Sequence, residues 1–223
     1  MTASSVVTPK HPCPALPIPR WKRAMDVSVA TGALLALAPV LAVVALLTRV
    51  FLGPNIVFRQ RRGGHGATSF ELLKLRSMTD ERGDDGALLP DVERTHWWGS
   101  WLRRTSIDEL PGLLNVLRGD MSIVGPRPFL AVYLERYDET QALRHRLRPG
   151  LTGLAQVGGR NLLSWEDRFD LDNRYIDELS LRGDLRLLRE TVTQVVNGRG
   201  ADGADGASLT TEFLGTSEDV IPR

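Results

Sequence analysis

A long run of apolar residues dominates the pattern of hydrophobic and polar positions along the chain. From Val27 to Thr48 the sequence VSVATGALLALAPVLAVVALLT carries no charge, and as a helix it would reach about 33 Å. It also lacks the polar face that a surface helix of a soluble protein needs. The run is too long for a secretory signal, has no cleavage pattern after it and is followed by basic residues. The pattern therefore predicts a permanent membrane anchor.

Basic residues on both sides of this run indicate that both of its ends are cytoplasmic. They are Lys10, Arg20, Lys22 and Arg23 before it, and Arg49, Arg59, Arg61 and Arg62 after it. Pro39 lies near the middle, where it removes a backbone donor and bends a helix. Each of the two arms would reach about 18 Å, enough to enter one leaflet and return. We expect a re-entrant helical hairpin over residues 20–52, in preference to a kinked span or a buried soluble helix.

Short elements follow the apolar run. NIVFRQ and SFELLKL flank a glycine cluster and predict a small β-hairpin. The intervening RRGGHG has no Walker lysine spacing, so a hairpin turn is a better interpretation than a phosphate cradle. THWWGSWLRRTS predicts a helix at the membrane interface, with Trp97, Trp98 and Trp101 at headgroup level. Core packing of one or two of these indole rings is the alternative.

Two further segments show helical spacing. Ile107, Leu110, Leu114 and Leu117 form one apolar stripe, with Asn115 off it and Gly119 as the stop. This helix begins at Ser106 or, because proline suits only a first turn, at Asp108. After Asp184, LRLLRETVTQVV is amphipathic, with its apolar side formed by Leu185, Leu188, Val192 and Val195. This second helix lies either on the bilayer surface or against the core.

These elements predict an α+β, predominantly helical protein. Its parts are a re-entrant membrane helix, a small β-hairpin and amphipathic interfacial helices around a compact cytosolic catalytic domain. The expected division is a disordered or loosely docked proline-rich tail over 1–19, the membrane helix over 20–52 and the catalytic domain over 53–198. A flexible linker and C-terminal tail, which either folds back or stays free, complete the chain over 199–223.

Composition narrows the function classes. With 28 Lys+Arg against 27 Asp+Glu, the chain has no overall positive field, which argues against a nucleic-acid partner. Any anionic partner must be bound by a local basic cluster. The single cysteine, Cys13, allows no intrachain disulfide and fits a reducing compartment.

The adjacent carboxylates Asp108 and Glu109 are the strongest chemical feature. Such a pair can hold a divalent metal or attack phosphorus while cations neutralise phosphate oxygens. The surrounding cations are Arg103, Arg104, Arg118 and Arg127. Ser106 and Glu109 also match a capping box, so helix capping remains the alternative. In either helix register the positive helix end would favour the ionised carboxylates.

Two turns add arginines. In Gly125-Pro126-Arg127-Pro128 the prolines restrict the direction of Arg127, which suits phosphate binding. The glycine-rich PGLTGLAQVGGR ends at Arg160, for which a solvated basic loop is the alternative.

With these residues together, the chain resembles the bacterial sugar transferase family, the monotopic phosphoglycosyl transferases, and in particular its small PglC-type members. The resemblance runs from Trp21 to Gly198. It rests on Pro39 in the apolar run, on the LD and Y of LDNRY, and on KRAMD, FRQRRGGHG, FELLKLRSM, LRRTSIDELPGLLNVLRGDMSIVGPRP and LRPGLTGLAQVGGR. It implies contact with bacterial membrane lipid, a membrane-dipping hairpin in the inner (cytoplasmic) membrane, and a catalytic domain on the cytoplasmic face.

The resemblance also implies a two-step, Mg²⁺-dependent exchange. Asp108 attacks the β-phosphorus of a UDP-sugar and releases UMP, and polyprenol phosphate then takes the phosphosugar from the carboxylate. Asp108 is thus the implied nucleophile and metal ligand, and Glu109 its partner in positioning or proton handling. The implied phosphate contacts are Arg103, Arg127 and Arg160, with Lys74 and Arg76 as weaker candidates, because their KLRSM motif could instead pack the strand against the anchor.

The chain departs from the family pattern at Leu75, Gly112 and Gly158. Gly158 replaces the common asparagine before Gly159-Arg160, which leaves the contacts of that loop open. A membrane-bound metal phosphohydrolase and a non-catalytic membrane scaffold are the competing functions. The sugar, the polyprenol, the pathway and homodimer formation are also open at this point.

Overall fold

The computed structural model describes residues 7–159, 163–197 and 212–215. Within them the helices are α1 (Arg20–Leu52), α2 (Asp91–Arg94), α3 (Trp97–Arg104), α4 (Gly112–Arg118), α5 (Glu139–Ala142), α6 (Leu154–Gly158), α7 (Trp165–Asp177) and α8 (Leu181–Val196). The strands are β1 (Val57–Gly63), β2 (Ser69–Leu75), β3 (Ser122–Val124) and β4 (Gly150–Thr152). Short 3₁₀ turns cover His65–Ala67, Ile107–Glu109, Ala131–Glu135 and Leu143–Arg146. The predicted mainly helical character is confirmed.

The predicted β-hairpin is also confirmed. β1 and β2 pair antiparallel, with Val57 opposite Leu75 and Gly63 opposite Ser69. The glycine-rich segment forms the turn, where Gly66 has φ +64°, a conformation that glycine adopts at no steric cost. The hairpin places Lys74 near the C-terminal end of β2.

A second sheet was not expected from the sequence. β3 and β4 pair in parallel, with Ser122 opposite Gly150 and Val124 opposite Thr152. The two backbones approach so closely just after β3 that a Cβ atom at Gly150 would lie 2.1 Å from the Gly125 nitrogen. Glycine is therefore required sterically at this crossing, which leads directly into the Pro126-Arg127-Pro128 turn.

The N-terminal end of α1 is bound to the globular domain through buried charges. Lys22 Nζ lies 2.6 Å from Asp184 Oδ2 and donates hydrogen bonds to Tyr175 Oη at 2.9 Å and to the Val124 carbonyl at 3.0 Å. Lys22 is one of the basic residues that precede the apolar run, but in the structure its charge is paired with Asp184 inside the domain. Arg23 likewise donates to the carbonyls of Val116 and Leu117.

Asp26 holds the start of β3. Its Oδ1 accepts hydrogen bonds from Ser122 Oγ at 2.8 Å and from the Ile123 nitrogen at 2.9 Å. The KRAMD motif therefore binds α1 to the strand that precedes Arg127.

The C-terminal end of α1 also packs on the domain. Thr48 Oγ1 accepts a hydrogen bond from Trp98 Nε1 at 3.1 Å, and Arg76 Nη1 donates to the Leu52 carbonyl at 3.4 Å. Between the two ends the helix is largely exposed, with Leu35 73% exposed. By length and composition α1 could cross a membrane. It is one continuous helix with Pro39 inside it, so the division into two hairpin arms stays a prediction.

α4 corrects the predicted helix register. The helix begins at Gly112, with Pro111 as its N-cap, because Ile107–Glu109 forms a separate 3₁₀ turn before it. Leu114 is accordingly 41% exposed, whereas Leu113 and Val116 are buried in the main core. Asn115, which was expected off the packed face, is also fully buried.

The tryptophans and α8 divide between core and surface. Trp98 is buried, whereas Trp97 is 59% exposed and Trp101 is also exposed. In α8, Leu187 packs into the core. The exposed apolar residues of this helix are Leu181, Leu185, Val192 and Val195. Both helices thus present apolar side chains to their surroundings.

Both terminal segments contact the domain. In the described part of the N-terminal tail, residues 7–19, the Lys10 nitrogen donates to the Leu134 carbonyl at 3.1 Å and the Leu16 nitrogen to the Arg146 carbonyl at 2.8 Å. Near the C-terminus, Phe213 is buried in an aromatic cluster. The alternative that the C-terminal tail folds back is therefore the one that the structure shows for residues 212–215.

Candidate active site

Asp108 lies in the 3₁₀ turn Ile107–Glu109. The residue that precedes this turn has an unusual backbone conformation. Ser106 has φ 56°, in the left-handed region, which costs a non-glycine residue about 1 kcal/mol or more. The Ser106 side chain makes no capping hydrogen bond, so the capping-box interpretation is wrong. The turn instead leaves Asp108 buried, with its Oδ2 4.0 Å from Lys74 Nζ.

Glu109 lies between two cations. Its Oε1 is 2.8 Å from Lys74 Nζ and 3.0 Å from Arg127 Nη2. The structure thus brings together four of the residues that were predicted for the site, from β2, the 3₁₀ turn and the turn after β3.

Asn115 fixes the strand that carries Lys74. Its Oδ1 accepts from the Leu73 nitrogen at 3.0 Å, and its Nδ2 donates to the Glu71 carbonyl at 2.7 Å. These two bonds join α4 to the β2 backbone on either side of Leu72. Sequence reasoning missed this role because only the helix register shows that Asn115 points inward.

Arg144 binds the backbone of Arg127. Arg144 Nη2 donates to the Arg127 carbonyl at 2.6 Å, and its guanidinium forms a buried pair with Asp172 Oδ2, also at 2.6 Å. Asp172 belongs to the LDNRY motif, whose role was not specified from the sequence. The motif therefore supports the Pro-Arg-Pro turn across the domain.

The two carboxylates have opposite electrostatic environments. Burial raises the pKa of Asp108 to about 6, with the Glu109 charge adding to the rise and Lys74, Arg103 and Arg127 opposing it. Burial also favours the neutral form of Glu109, but Arg127 and Lys74 outweigh it and hold its pKa well below its usual range. The expectation that a helix end would favour ionised Asp108 is wrong, because a three-residue turn provides too little dipole to offset burial.

An open cleft, with about 320 Å³ of free space including the solvent at its mouth, lies beside these groups. Its lining residues are Arg62, Leu72, Lys74, Glu109, Met121, Arg127, Pro128, Gly150 and Leu151. Arg62 was not predicted for the site, although it stands in the FRQRRGGHG motif. Its Nη1 donates to the Pro128 carbonyl at 3.1 Å, and burial, with Arg127 nearby, lowers its pKa to about 10.

The remaining predicted residues have different positions. Arg103 is exposed in the last turn of α3, and its charge lowers the pKa of Asp108. Arg76 pairs with Asp80 at 2.6 Å and bonds to the end of α1, as the strand-packing alternative anticipated. Arg160 lies outside the described residues.

The carboxylates allow one mode of magnesium binding. Among the described residues no group of three or more His, Cys, Asp or Glu side chains could hold a metal. Mg²⁺, however, is commonly bound by one or two carboxylates together with substrate phosphates and waters. Asp108 fits that mode because the nearest cation among the described residues, Lys74, is 4.0 Å away, whereas Glu109 is already engaged by two cations.

The arrangement combines a reactive carboxylate with cations. Asp108 is ionised above a pH of about 6, and its charge is then poorly solvated, a condition that favours nucleophilic reactivity. Lys74, Arg62 and Arg127 border the cleft and can offset negative charge on a phosphorus centre. The site is therefore suited to phosphoryl chemistry on an anionic substrate.

Comparison with known proteins gives long matches. The sequence model described as bacterial sugar transferase matches residues 19–198. The "Uncharacterized sugar transferase EpsL" of Bacillus subtilis (strain 168) is 45% identical over 199 residues, covering 89% of this chain and 98% of that protein. The "Exopolysaccharide production protein ExoY" of Sinorhizobium fredii is 40% identical over 81% of this chain and 87% of its own. The "UDP-glucose:undecaprenyl-phosphate glucose-1-phosphate transferase" of Caulobacter vibrioides is 42% identical over 84% and 74%.

Proposed function

This chain belongs to the bacterial sugar transferase family, and from that premise we propose that it transfers a phosphosugar from a UDP-sugar to polyprenol phosphate, releasing UMP. The observation that carries the proposal is the buried Asp108 beside a cleft bordered by Lys74 and Arg127. The names of several relatives support UDP-glucose and undecaprenyl phosphate as the first substrates to test.

In the first step a carboxylate oxygen of Asp108 attacks the β-phosphorus of the UDP-sugar. A new P–O bond forms to Asp108, and the bond from phosphorus to the bridging oxygen breaks, so that UMP leaves with the electron pair. The attack requires ionised Asp108, which burial makes less stable and therefore more reactive. Arg127 and Lys74 are placed to offset the negative charge of the diphosphate.

In the second step a phosphate oxygen of the polyprenol phosphate attacks the phosphorus of the aspartyl adduct. The bond to Asp108 breaks, the carboxylate is regenerated and polyprenyl diphosphosugar leaves. Two displacements thus replace one direct encounter between two anionic substrates. This product is suited to begin glycoconjugate assembly on a membrane-bound carrier.

Glu109 acts as a positioning residue in this scheme. Its low pKa keeps it ionised between Lys74 and Arg127, which fixes both cations at the cleft. A protonated Glu109 would release them. The pair therefore divides its work: Asp108 reacts and Glu109 holds the cations.

Magnesium, if bound, would be held by Asp108 with phosphate oxygens and water. It would supply positive charge that neutralises the diphosphate as UMP leaves.

The packing of α1 supports a re-entrant membrane geometry. Both of its ends pack on the same domain, at Lys22 and at Thr48, while its middle is exposed and apolar. A helix bent at Pro39 that enters one leaflet and returns accounts for both observations. The catalytic domain would then lie on the cytoplasmic face, the side that the basic residues flanking α1 favour.

The test is to incubate the enzyme with UDP-glucose in the absence of lipid and analyse it by intact mass spectrometry. We expect UMP release and an added mass of one hexose phosphate on Asp108, which polyprenol phosphate then removes. Asp108→Asn is the matched control and should show neither. Full turnover by Asp108→Asn would refute the mechanism.

Product analysis in the same assay and a cellular assay together separate the competing functions. A phosphohydrolase would transfer the phosphosugar to water, giving free sugar phosphate in place of a lipid product. A scaffold would retain its cellular function in the Asp108→Ala/Glu109→Ala double variant.

A further inference from the structure

Phe213 packs against four aromatic rings in a buried cluster of the domain. Its ring centroid lies 5.2 Å from Phe169, 5.3 Å from Trp165, 5.5 Å from Tyr137 and 5.7 Å from Tyr133. These separations are those of favourable stacked and edge contacts between rings. Only 4% of Phe213 is exposed, so the contact is closed to solvent.

Polar contacts fix the backbone next to this ring. Arg136 Nη1 lies 2.8 Å from Glu212 Oε1 and also donates to the Phe213 carbonyl. The guanidinium stacks 5.2 Å above the Tyr133 ring. In contrast, Leu214 is exposed. The segment 212–214 therefore binds through one aromatic anchor and one arginine clamp.

The rings that surround Phe213 also pack against the segment that follows Arg127. Phe129, two residues after Arg127, packs against Trp165 at 4.9 Å and Phe169 at 6.4 Å. Removal of Phe213 would leave a cavity among rings that also hold Phe129.

A second connection runs through Arg144. Its guanidinium stacks 4.2 Å from the Phe129 ring, and its Nη1 donates to Tyr137 Oη at 3.4 Å. Its Nη2 holds the Arg127 carbonyl. Tyr137 thus contacts Phe213 on one side and the residue that fixes Arg127 on the other.

We propose that residues 212–214 form an intramolecular strap, a peptide ligand of the aromatic pocket whose docking orders the Pro126-Arg127-Pro128 turn. The occupant is the chain's own C-terminal segment, which is covalently linked to the domain that carries the pocket. Tethering gives such a ligand an effective concentration of about millimolar. A local contact of modest intrinsic affinity is therefore enough to keep the pocket filled.

The strap can be tested in the full-length Phe213→Ala variant by hydrogen exchange over residues 123–130. We expect about tenfold faster amide exchange there, because local opening becomes easier. The synthetic peptide SLTTEFLGTS, residues 208–217 of this chain, should restore slow exchange when added at about 1 mM. The same peptide with alanine in place of phenylalanine is the matched control and should have no effect, and Leu214→Ala should exchange like the wild type.

Unchanged exchange over residues 123–130 in a folded Phe213→Ala variant would overturn the proposal. Faster exchange that the peptide fails to reverse would also overturn it, since Phe213 would then be an ordinary core residue. Should Phe213→Ala not fold, Glu212→Lys places a cation against Arg136 at the exposed end of the strap. That variant should show a smaller acceleration, about threefold, and wild-type exchange in it would count against the strap.

The consequence for activity rests on the proposed transferase function. Phe213→Ala should lower kcat/KM for UMP release about tenfold, and the peptide should restore it. Exchange is measured without substrate, so a strap that fails is distinguishable from a wild-type enzyme that releases no UMP.

Discussion

Lys74 Nζ lies 2.8 Å from Glu109 Oε1, so the strand β2 and the 3₁₀ turn are joined by a charged hydrogen bond at the edge of the cleft. The bond has an electrostatic effect on the neighbouring carboxyl. The Lys74 charge lowers the pKa of Asp108 and the Glu109 charge raises it, both against a larger upward effect of burial. Asp108 is thus tuned by two opposing neighbours.

Removing the Lys74 charge and removing the Glu109 charge should shift the acid limb of the pH profile in opposite directions. Wild-type kcat/KM for UMP release should rise with pH through about 6, as Asp108 ionises. In Lys74→Met the inflection should move to higher pH, and in Glu109→Gln to lower pH. The measurement is kcat/KM from pH 4.5 to 9 at one low, fixed Mg²⁺ concentration, so that the free enzyme carries the metal-free carboxyl.

Arg118→Gln is the control for this pair, because Arg118 is exposed on α4 and is not among the charges that shift Asp108. Its inflection should coincide with that of the wild type. Shifts of the same sign in Lys74→Met and Glu109→Gln would contradict the assignment of the inflection to Asp108.

Asp108→Asn should stabilise the protein while it abolishes turnover. The folded-state pKa of Asp108 is raised from 3.8 to about 6, so between these values the folded state binds more protons than the unfolded state. Stability contributed by the protonated carboxyl is therefore lost as pH rises through that window. Asparagine does not titrate, and its advantage should grow to about 1–3 kcal/mol above pH 7.

Urea unfolding in detergent micelles with EDTA, at pH 4, 6 and 8, measures this difference. The gap between Asp108→Asn and wild type should be small at pH 4 and full at pH 8. A difference in unfolding free energy that does not vary with pH would show that burial does not raise the pKa of Asp108.

The sequence predicted elements whose signals are local. The β1–β2 hairpin follows from two alternating strands around a glycine turn, and α3 from its tryptophan-rich amphipathic run. α4 was misplaced because the sequence does not show that Pro111 separates a 3₁₀ turn from the helix. The β3–β4 pair was missed, since it joins two three-residue strands that are distant in the chain.

The same distinction applies to the site. Asp108, Glu109, Lys74 and Arg127 were found because charge and turn chemistry mark them, and the structure brings them together. Arg62 and the Arg144–Asp172 pair were missed because charged residues in a strand, turn or helix look solvated until tertiary packing buries them. Arg76 is the opposite case. Its motif suggested a phosphate contact, but its hydrogen bond to the Leu52 carbonyl holds the end of α1.

Breaking the buried Arg144–Asp172 pair should cost far more stability than breaking a surface pair at the C-terminal end of α7. Asp172→Asn leaves the buried Arg144 without its counter-ion and should destabilise the protein by about 3–5 kcal/mol. The matched control is Glu178→Gln, which breaks the exposed Arg174–Glu178 pair and should change stability by at most about 1 kcal/mol. Both are measured by urea unfolding, and similar effects would contradict the role of the buried pair.

The re-entrant form of α1 leads to a labelling prediction. Ala15→Cys and Arg59→Cys place exposed thiols before and after the helix, and Leu35→Cys places one in its exposed apolar middle. In membrane vesicles of one orientation, a membrane-impermeant maleimide should label positions 15 and 59 from the same side and should not reach position 35, because lipid covers it. The wild-type chain is the background control, since its single cysteine, Cys13, is buried. Labelling of positions 15 and 59 from opposite sides would mean that α1 spans the bilayer, and the packing of both its ends on one domain could not then persist in the membrane.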